Sequence, residues 1–203
     1  MASVYELKSR FQDLLRPLVR RMAQAGITAN QVTLAAILLS LAAGAALAVW
    51  PGHPLPLILL PVILFLRMAL NAVDGMLARE HGQKSRLGAI LNELGDVISD
   101  TAIYLPFALL PGISPAAAVV FCLLAVISEM TGVVAIQIGA SRRYDGPMGK
   151  SDRAALMGTL AMLTGLGIVS PGLAGWVIGL AALLVALTIL NRARKALAEG
   201  RPA

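Results

Sequence analysis

The sequence predicts an all-α integral membrane protein, a six-transmembrane-helix bundle preceded by an N-terminal amphipathic helix at the membrane interface. Of its 203 residues, 58% are hydrophobic and 14% are charged, and the mean hydropathy is +0.78. A soluble domain of this size needs more polar surface. The apolar residues gather in six long stretches without alternation of polar and apolar positions, which argues against a β-barrel.

Residues 1–28 predict the interfacial helix. They contain basic residues throughout and no unbroken apolar core, unlike a secretory signal. Their apolar residues recur at steps of three and four and form one stripe, which is typical of a helix lying in the membrane interface. A helix docked on soluble protein is the alternative. The stripe consists of Val4, Leu7, Phe11, Leu14, Leu15, Leu18 and Met22.

The six apolar stretches each have a length near the ~20 residues that a helix needs to cross a ~30 Å hydrocarbon core. We expect one domain, 1–203, in which residues 29–191 form the six helices and residues 192–203 form a cytoplasmic tail. The stretches are Val32–Trp50, Leu55–Ala78, Leu87–Leu110, Pro115–Gly139, Ala154–Val169 and Leu173–Leu190.

Lys and Arg indicate the orientation of the chain. Of 17 such residues, all but Arg67 lie before the first stretch, in the loops 79–86 and 142–153, or after the last stretch. This one-sided distribution predicts that both termini and both basic loops are cytoplasmic, as in a bacterial inner membrane protein. The net charge of +6 suits anionic membrane lipids. Nothing else in the sequence indicates nucleic-acid binding.

Polar residues are concentrated in residues 71–100, which read NAVDGMLAREHGQKSRLGAILNELGDVISD. An ionisable residue inside a membrane helix costs roughly 2.5–3.5 kcal/mol, so such residues persist where they pair, face a cavity or act in function. Helical spacing places the polar residues on two faces. One face consists of Arg67, Asn71, Asp74 and Ala78, and the other of Gly88, Asn92, Asp96, Ser99 and Asp100, with Glu93 beside it.

Oxygen ligands without His or Cys select hard cations such as Mg²⁺ or Mn²⁺, which suit a pyrophosphate substrate. A further carboxylate can accept the proton of an attacking hydroxyl. The cluster therefore predicts metal-assisted phosphoryl-type transfer. One alternative is ordinary buried pairing of Arg67 with Asp74 or Glu129, with the Asn residues bonded between helices. Another is a transporter, although we find no pair of related halves of the kind that carriers usually show.

One pattern in this stretch has the spacing Asn71-x2-Asp74-Gly75-x2-Ala78-Arg79-x8-Gly88-x3-Asn92-x3-Asp96. It resembles in every spacing the signature of the CDP-alcohol phosphotransferases, D-x2-D-G-x2-A-R-x8-G-x3-D-x3-D. The segment GITANQVT is also similar to the family's first span, where Pro-Asn is usual and this chain has Ala29-Asn30. The resemblance implies a homodimeric membrane enzyme that uses CDP-diacylglycerol, an alcohol acceptor and Mg²⁺ or Mn²⁺.

The resemblance also implies a role for each motif residue. Asp74 would be a metal ligand, with Asn71, Asn92 and Asp96 completing the set, and Asp96 would be the general base. A second group would bind the cytidine diphosphate, where small side chains allow the nucleotide to approach the helix closely. That group consists of Asn30, Gly75, Ala78, Arg79 and Gly88.

The two Asn residues are departures from the family pattern. With Asn71 and Asn92, the formal charge of the four acidic positions changes from −4 to −2. An Asn oxygen is a legitimate ligand but contributes a dipole in place of a charge. Two interpretations remain open. In the first, Glu93 or Asp100 partly replaces the lost charge and the enzyme is active. In the second, the site is catalytically weak or inactive and binds a CDP-lipid as a scaffold.

Lys150 and Arg153 are the candidate acceptor-binding residues. They lie three residues apart at the start of the fifth predicted span, and basic side chains there could hold an acceptor phosphate. The alternative is that they only reflect the excess of positive charge on the cytoplasmic side. The sequence does not identify the alcohol.

Overall fold

The computed structural model describes the backbone of residues 4–199 and the side chains of residues 10–199. The described residues form an all-α bundle, which confirms the predicted fold class. Short 3₁₀ segments, Leu105–Leu109 and Ala135–Ile138, continue two of its helices. The α-helices are α1 (Val4–Gln24), α2 (Ala29–Val49), α3 (Pro54–Glu80), α4 (Arg86–Tyr104), α5 (Pro115–Val134), α6 (Lys150–Gly165) and α7 (Pro171–Glu199).

Four of the described helices are long and apolar enough to cross a membrane: α2, α3, α5 with its continuation to Ile138, and α7. The remaining two predicted spans correspond to α4 and α6, which do not meet that standard. Helix α4 contains the charged residues Glu93, Asp96 and Asp100, and α6 has only 16 residues. A count of six spans therefore stays a prediction.

The ends of three helices differ from the predicted stretches. The third stretch changes from α-helix to a 3₁₀ segment after Tyr104, where Pro106 has no backbone N–H to donate. Helix α6 begins at Lys150 because the Asp152 carboxylate accepts a hydrogen bond from the N–H of Gly149. Helix α7 continues past the last predicted stretch to Glu199 through good helix formers, and a cytoplasmic tail at residues 192–203 stays a prediction.

Side-chain caps fix the starts of the two helices that border the polar stretch. Thr28 accepts from the N–H of Gln31, whose side chain accepts in turn from the Thr28 N–H. Ser85 caps α4 by accepting from the N–H of Gly88 at 2.9 Å. Both caps satisfy N–H groups that a helix start leaves free. They place the starts of α2 and α4 beside the end of α3.

Helix α1 packs against α3. Val19 is fully buried in a small core with Val73 and Leu77, and Arg16 pairs with Glu80 at 3.1 Å. Leu14 and Leu18, from the predicted stripe, are exposed. The predicted N-terminal helix is therefore present as α1, and its location at the membrane interface stays a prediction. The side chains of Val4 and Leu7 lie outside the described residues.

Helices α2 and α4 approach each other closely at Gly44. A Cβ atom added there would lie 2.0 Å from the carbonyl oxygen of Ala102, so only glycine permits this contact. Small residues at helix crossings allow backbones to approach in this way in membrane bundles. The contact holds α4 against α2, on the side of α4 opposite to its charged partners on α6.

A buried ion network joins the helices around α4. Arg67 of α3 bonds to Asp100 of α4 at 2.5 Å, and Asp100 accepts from Arg153 of α6 at 3.2 Å. Arg153 bonds to Glu129 of α5 at 2.9 Å, and Glu129 accepts from Arg192 of α7 at 3.3 Å. All five side chains are buried. The network therefore links five helices within the apolar bundle.

The network corrects one sequence interpretation. The expected alternative paired Arg67 with Asp74 or Glu129, whereas Arg67 pairs with Asp100 and lies 3.6 Å from a carboxylate oxygen of Asp96. Glu129 pairs instead with Arg153, Arg192 and Arg142. The choice of partner depends on how α3, α4 and α5 cross, which helical spacing does not specify.

We expect Asp100→Asn to destabilise the bundle, because it removes the carboxylate that Arg67 and Arg153 share. Among the described side chains, Arg67 then retains only Asp96 at 3.6 Å, and Arg153 retains only Glu129. Removing one partner of a buried pair costs about 3–5 kcal/mol. Denaturant titration of the purified protein in detergent measures this loss. The matched control is Asp145→Asn, since Asp145 pairs with Arg143 and Lys195 nearer the surface and should contribute about 1 kcal/mol or less. Equal losses in both variants would contradict the role given to the network.

Candidate active site

The four motif positions lie where α3 and α4 face each other. Asn71 donates from its amide to Asp96 at 3.3 Å. Asp74 is buried and accepts a hydrogen bond from the Thr33 hydroxyl of α2 at 2.8 Å. Asn71 and Asp74 share a face of α3, and Asn92 and Asp96 are one turn apart on α4. The structure thus brings both faces of the predicted cluster to one place.

A first cavity of 370 Å³ lies between the starts of α2 and α4 and the end of α3. Asp74 and Asn92 line it, and so does every residue predicted to bind cytidine diphosphate. Those residues are Asn30, Gly75, Ala78, Arg79 and Gly88.

Two glycines keep the first cavity open. A Cβ at Gly88 would lie 2.8 Å from the side-chain oxygen of Asn30, and a Cβ at Gly75 would lie 3.1 Å from the guanidinium of Arg79. Gln83, which the sequence analysis missed, accepts from the N–H of Ala29 at 2.7 Å and so ties the loop after α3 to α2. Gln83 lies in the short loop between α3 and α4, where the sequence pattern gave no signal for it.

A second cavity of 480 Å³ lies between α3, α4, α6 and the loop before α6. It is lined by Asn71, Asp96 and Lys150, and the ammonium of Lys150 pairs with the carboxylate of Asp96. Asn92 lines the first cavity as well as the second. The two cavities therefore adjoin at Asn92.

An apolar groove of 430 Å³ runs between α3 and α6. Its walls include Leu64, Phe65 and Met68, of which Phe65 and Met68 are exposed on the outside of the bundle. The groove meets the second cavity at Asn71 and Lys150, which line both. A chain-like apolar group could therefore lie in the groove while its polar end reaches the motif.

The two further acids of the predicted ligand set are both engaged by arginines. Glu93 lines the second cavity but accepts from Arg142 at 2.6 Å. Asp100 lines neither cavity, because its two oxygens face Arg67 and Arg153. The structure therefore does not place Asp100 beside Asp96 as a replacement for the missing carboxylates. The charge of Glu93 is balanced by Arg142.

The predicted acceptor residues lie in different surroundings. Lys150 lines the second cavity, whereas Arg153 is fully buried in the ion network and lines neither cavity. Arg142, which is not among the predicted acceptor residues, also lines the second cavity, and its Nε and Nη1 atoms are buried without a hydrogen-bond partner. Burial lowers the pKa of Arg142, but the hydrogen bond to Glu93 and the nearby Glu93, Tyr144 and Glu129 together outweigh burial and hold the pKa above its ordinary value.

The donor set fits a hard divalent cation. Asp74 and Asp96 offer carboxylate oxygens and Asn71 and Asn92 offer amide oxygens, all of which suit Mg²⁺ or Mn²⁺. Within residues 4–199, no three His, Cys, Asp or Glu residues come together as a metal site. The two Asn residues account for this result, since they stand at two of the four positions where the resemblance expects a carboxylate.

A family profile and two known proteins match the sequence of the chain. The sequence profile described as CDP-alcohol phosphatidyltransferase matches residues 26–190. Inner membrane protein YnbA of Escherichia coli K12 is 44% identical over 199 residues, which cover 96% of each chain. Archaetidylinositol phosphate synthase of Pyrococcus horikoshii is 32% identical over 104 residues, which cover 51% of this chain and 53% of that protein.

Solved structures share the fold. Phosphatidylinositol phosphate synthase PgsA1 of Mycobacterium tuberculosis with CDP-DAG bound superposes with a TM-score of 0.75 at 21% identity, covering 89% of this chain and 92% of that one. The same protein with manganese and citrate also gives a TM-score of 0.75 at 21% identity, covering 89% and 88%. At this identity the likeness establishes the fold only.

The apolar helices and the relation to an inner membrane protein identify an integral membrane protein. The profile covers most of the chain, and a relative of 44% identity covers nearly all of it. The chain therefore belongs to the CDP-alcohol phosphatidyltransferase family.

Proposed function

We propose that this protein transfers the phosphatidyl group of CDP-diacylglycerol to an alcohol acceptor and releases CMP, as a step of phospholipid biosynthesis. One observation supports this function above the others: Asn92 lines both cavities, and Asp96 lies one turn further along α4. Two substrates, one in each cavity, would meet beside a carboxylate that can accept a proton.

The donor lipid has its cytidine diphosphate in the first cavity and extends past Asn92 and Asn71, at one edge of the second cavity, into the apolar groove. Gly75, Ala78 and Gly88 let the cytidine approach the helices closely, Asn30 offers its amide, and Arg79 contacts a phosphate. The acyl chains follow the groove between α3 and α6 to its exposed side. The solved relative PgsA1, which was obtained with CDP-DAG bound, supports this assignment.

The acceptor alcohol occupies the second cavity. The Asp96 carboxylate takes the proton of its hydroxyl, and the hydroxyl oxygen forms a new bond to the phosphorus that bears diacylglycerol. The bond between that phosphorus and the oxygen bridging to CMP breaks, and CMP leaves with the bonding electrons. Lys150 and Arg142 contact polar oxygens of the acceptor. Arg153, which lines neither cavity, positions Asp100 and Glu129.

A divalent cation, Mg²⁺ or Mn²⁺, would be held by Asp74 and Asp96 with the amide oxygens of Asn71 and Asn92. When bound, it neutralises the charge that develops on the pyrophosphate. The manganese in a solved relative supports this choice. Glu93 and Asp100 are not in this set, because arginines already engage them.

We also propose a homodimer in a bacterial inner membrane, with the termini and the active site on the cytoplasmic side. The distribution of Lys and Arg supports the orientation. The similarity to an Escherichia coli inner membrane protein, YnbA, supports the compartment. The homodimer follows from the family resemblance alone.

A second candidate is a relative that binds a CDP-lipid with little or no turnover. The observation that favours it is the pairing of Asp96 with Lys150, in a site where Asn71 and Asn92 stand at two acidic positions. Such a site would retain the first cavity, which depends on residues other than the missing acids.

The proposed reaction is tested by CMP release from CDP-diacylglycerol with Mg²⁺ or Mn²⁺ and a panel of alcohols. We expect release that depends on one class of acceptor. Asp96→Asn should lower the rate by about 10²-fold or more, because loss of a general base typically costs 10²–10⁴-fold. Asp13→Asn on α1 is the matched control and should retain the rate. Absence of CMP release with every combination, beside an active relative, would refute the proposal.

Asn71→Asp separates the working enzyme from the second candidate. The Asn71 amide donates to Asp96, and a carboxylate there cannot donate and repels Asp96. Because a hydrogen bond to a charged group contributes about 1.5–3 kcal/mol, we expect CMP release to fall roughly 10–100-fold. Asn191→Asp on α7 is the matched control. A rise in turnover from near zero in Asn71→Asp would show instead that the parent site is dormant.

A further inference from the structure

We infer that Lys150 is a built-in cation of the active site, which competes with metal for Asp96, and that the site consequently binds a single divalent cation. The inference depends on the proposed function only for the location of the metal. It concerns cation binding without substrate, so it is tested separately from turnover.

The first observation is the placement of Lys150. The Lys150 ammonium pairs with Oδ1 of Asp96. Lys150 is the first residue of α6, and the hydrogen bond between Gly149 and Asp152 fixes the start of that helix. Lys150 also lines both the second cavity and the apolar groove. The start of α6 therefore places a positive charge beside the Asp96 carboxylate, which the metal also requires.

The second observation is that the same oxygen of Asp96 has two further donors nearby. The Asn71 amide donates to Oδ1 at 3.3 Å, and the Arg67 guanidinium lies 3.6 Å from it. Arg67 also donates to the backbone carbonyl of Asp96 at 3.2 Å. Oδ1 thus faces three donor side chains, two of them cationic, and a metal must displace at least Lys150 to bind there.

Charge balance limits the number of metals. Asp74 and Asp96 supply two negative charges, while Asn71 and Asn92 supply dipoles. Two divalent ions at the usual separation of roughly 3.5–4 Å would place about four positive charges against those two, with Lys150 and Arg67 adjacent. One divalent ion balances the carboxylates. Lys150 then supplies positive charge on the side of Asp96 that faces the second cavity.

The test is Mn²⁺ binding to the purified full chain in detergent, without substrate, with free Mn²⁺ counted by its EPR signal. We expect one Mn²⁺ per chain. Lys150→Met should lower the dissociation constant about tenfold, which corresponds to about 1.4 kcal/mol of lost competition. Lys150→Arg keeps the charge and should bind Mn²⁺ as the parent does.

Two further variants complete the test. Lys195→Met removes the same charge from a residue that pairs with Asp145, and it should leave Mn²⁺ affinity unchanged. The double variant Asn71→Asp with Asn92→Asp restores two carboxylates and should admit a second Mn²⁺.

Two Mn²⁺ ions in the parent chain would overturn the inference. Unchanged or weaker Mn²⁺ binding in Lys150→Met, or no binding in either chain, would do the same. One Mn²⁺ with the expected gain in Lys150→Met supports the inference even if the chain releases no CMP, which would count against the proposed function alone. CMP release by a chain that holds two Mn²⁺ ions would count against the inference alone.

Discussion

The arrangement of the bundle depends on the buried ion network of Arg67, Asp100, Arg153, Glu129 and Arg192. Five charges in an apolar bundle are tolerated only when they are paired, since an unpaired buried charge is strongly destabilising. Each member lies on a different helix, so pairing fixes how α3, α4, α5, α6 and α7 meet. Asp96 lies one turn before Asp100, and the network therefore also positions the carboxylate that the chemistry requires.

The parts of the structure that follow from local rules were predictable from sequence. Apolar stretches predicted the helices, and steps of three and four placed Asn71 with Asp74 and Asn92 with Asp96. The residues predicted for the nucleotide line one cavity because the motif spacing itself encodes a helix, a loop and a helix. The partners of the charges were not predictable, because Arg67 and Asp100 are 33 residues apart and Glu129 and Arg192 are 63 apart.

The position of Lys150 explains why Asn71 and Asn92 fit this site. A site with four carboxylates would need several positive charges from outside, whereas this site has two carboxylates and a lysine of its own. Glu93 and Asp100, the acids expected to replace the lost charge, are neutralised by Arg142, Arg67 and Arg153. The reduced acidity of the motif is thus matched by the surrounding charges.

The central claim, that an acceptor oxygen attacks the lipid-linked phosphorus in the space joining the two cavities, is tested most directly by isotope tracing. CDP-diacylglycerol is incubated with the protein and an acceptor whose hydroxyl oxygen is ¹⁸O, and both products are analysed by mass spectrometry. We expect ¹⁸O in the phosphatidyl product, unlabelled CMP, and equal amounts of the two. Label in CMP, or recovery of intact CDP-diacylglycerol alone, would contradict it.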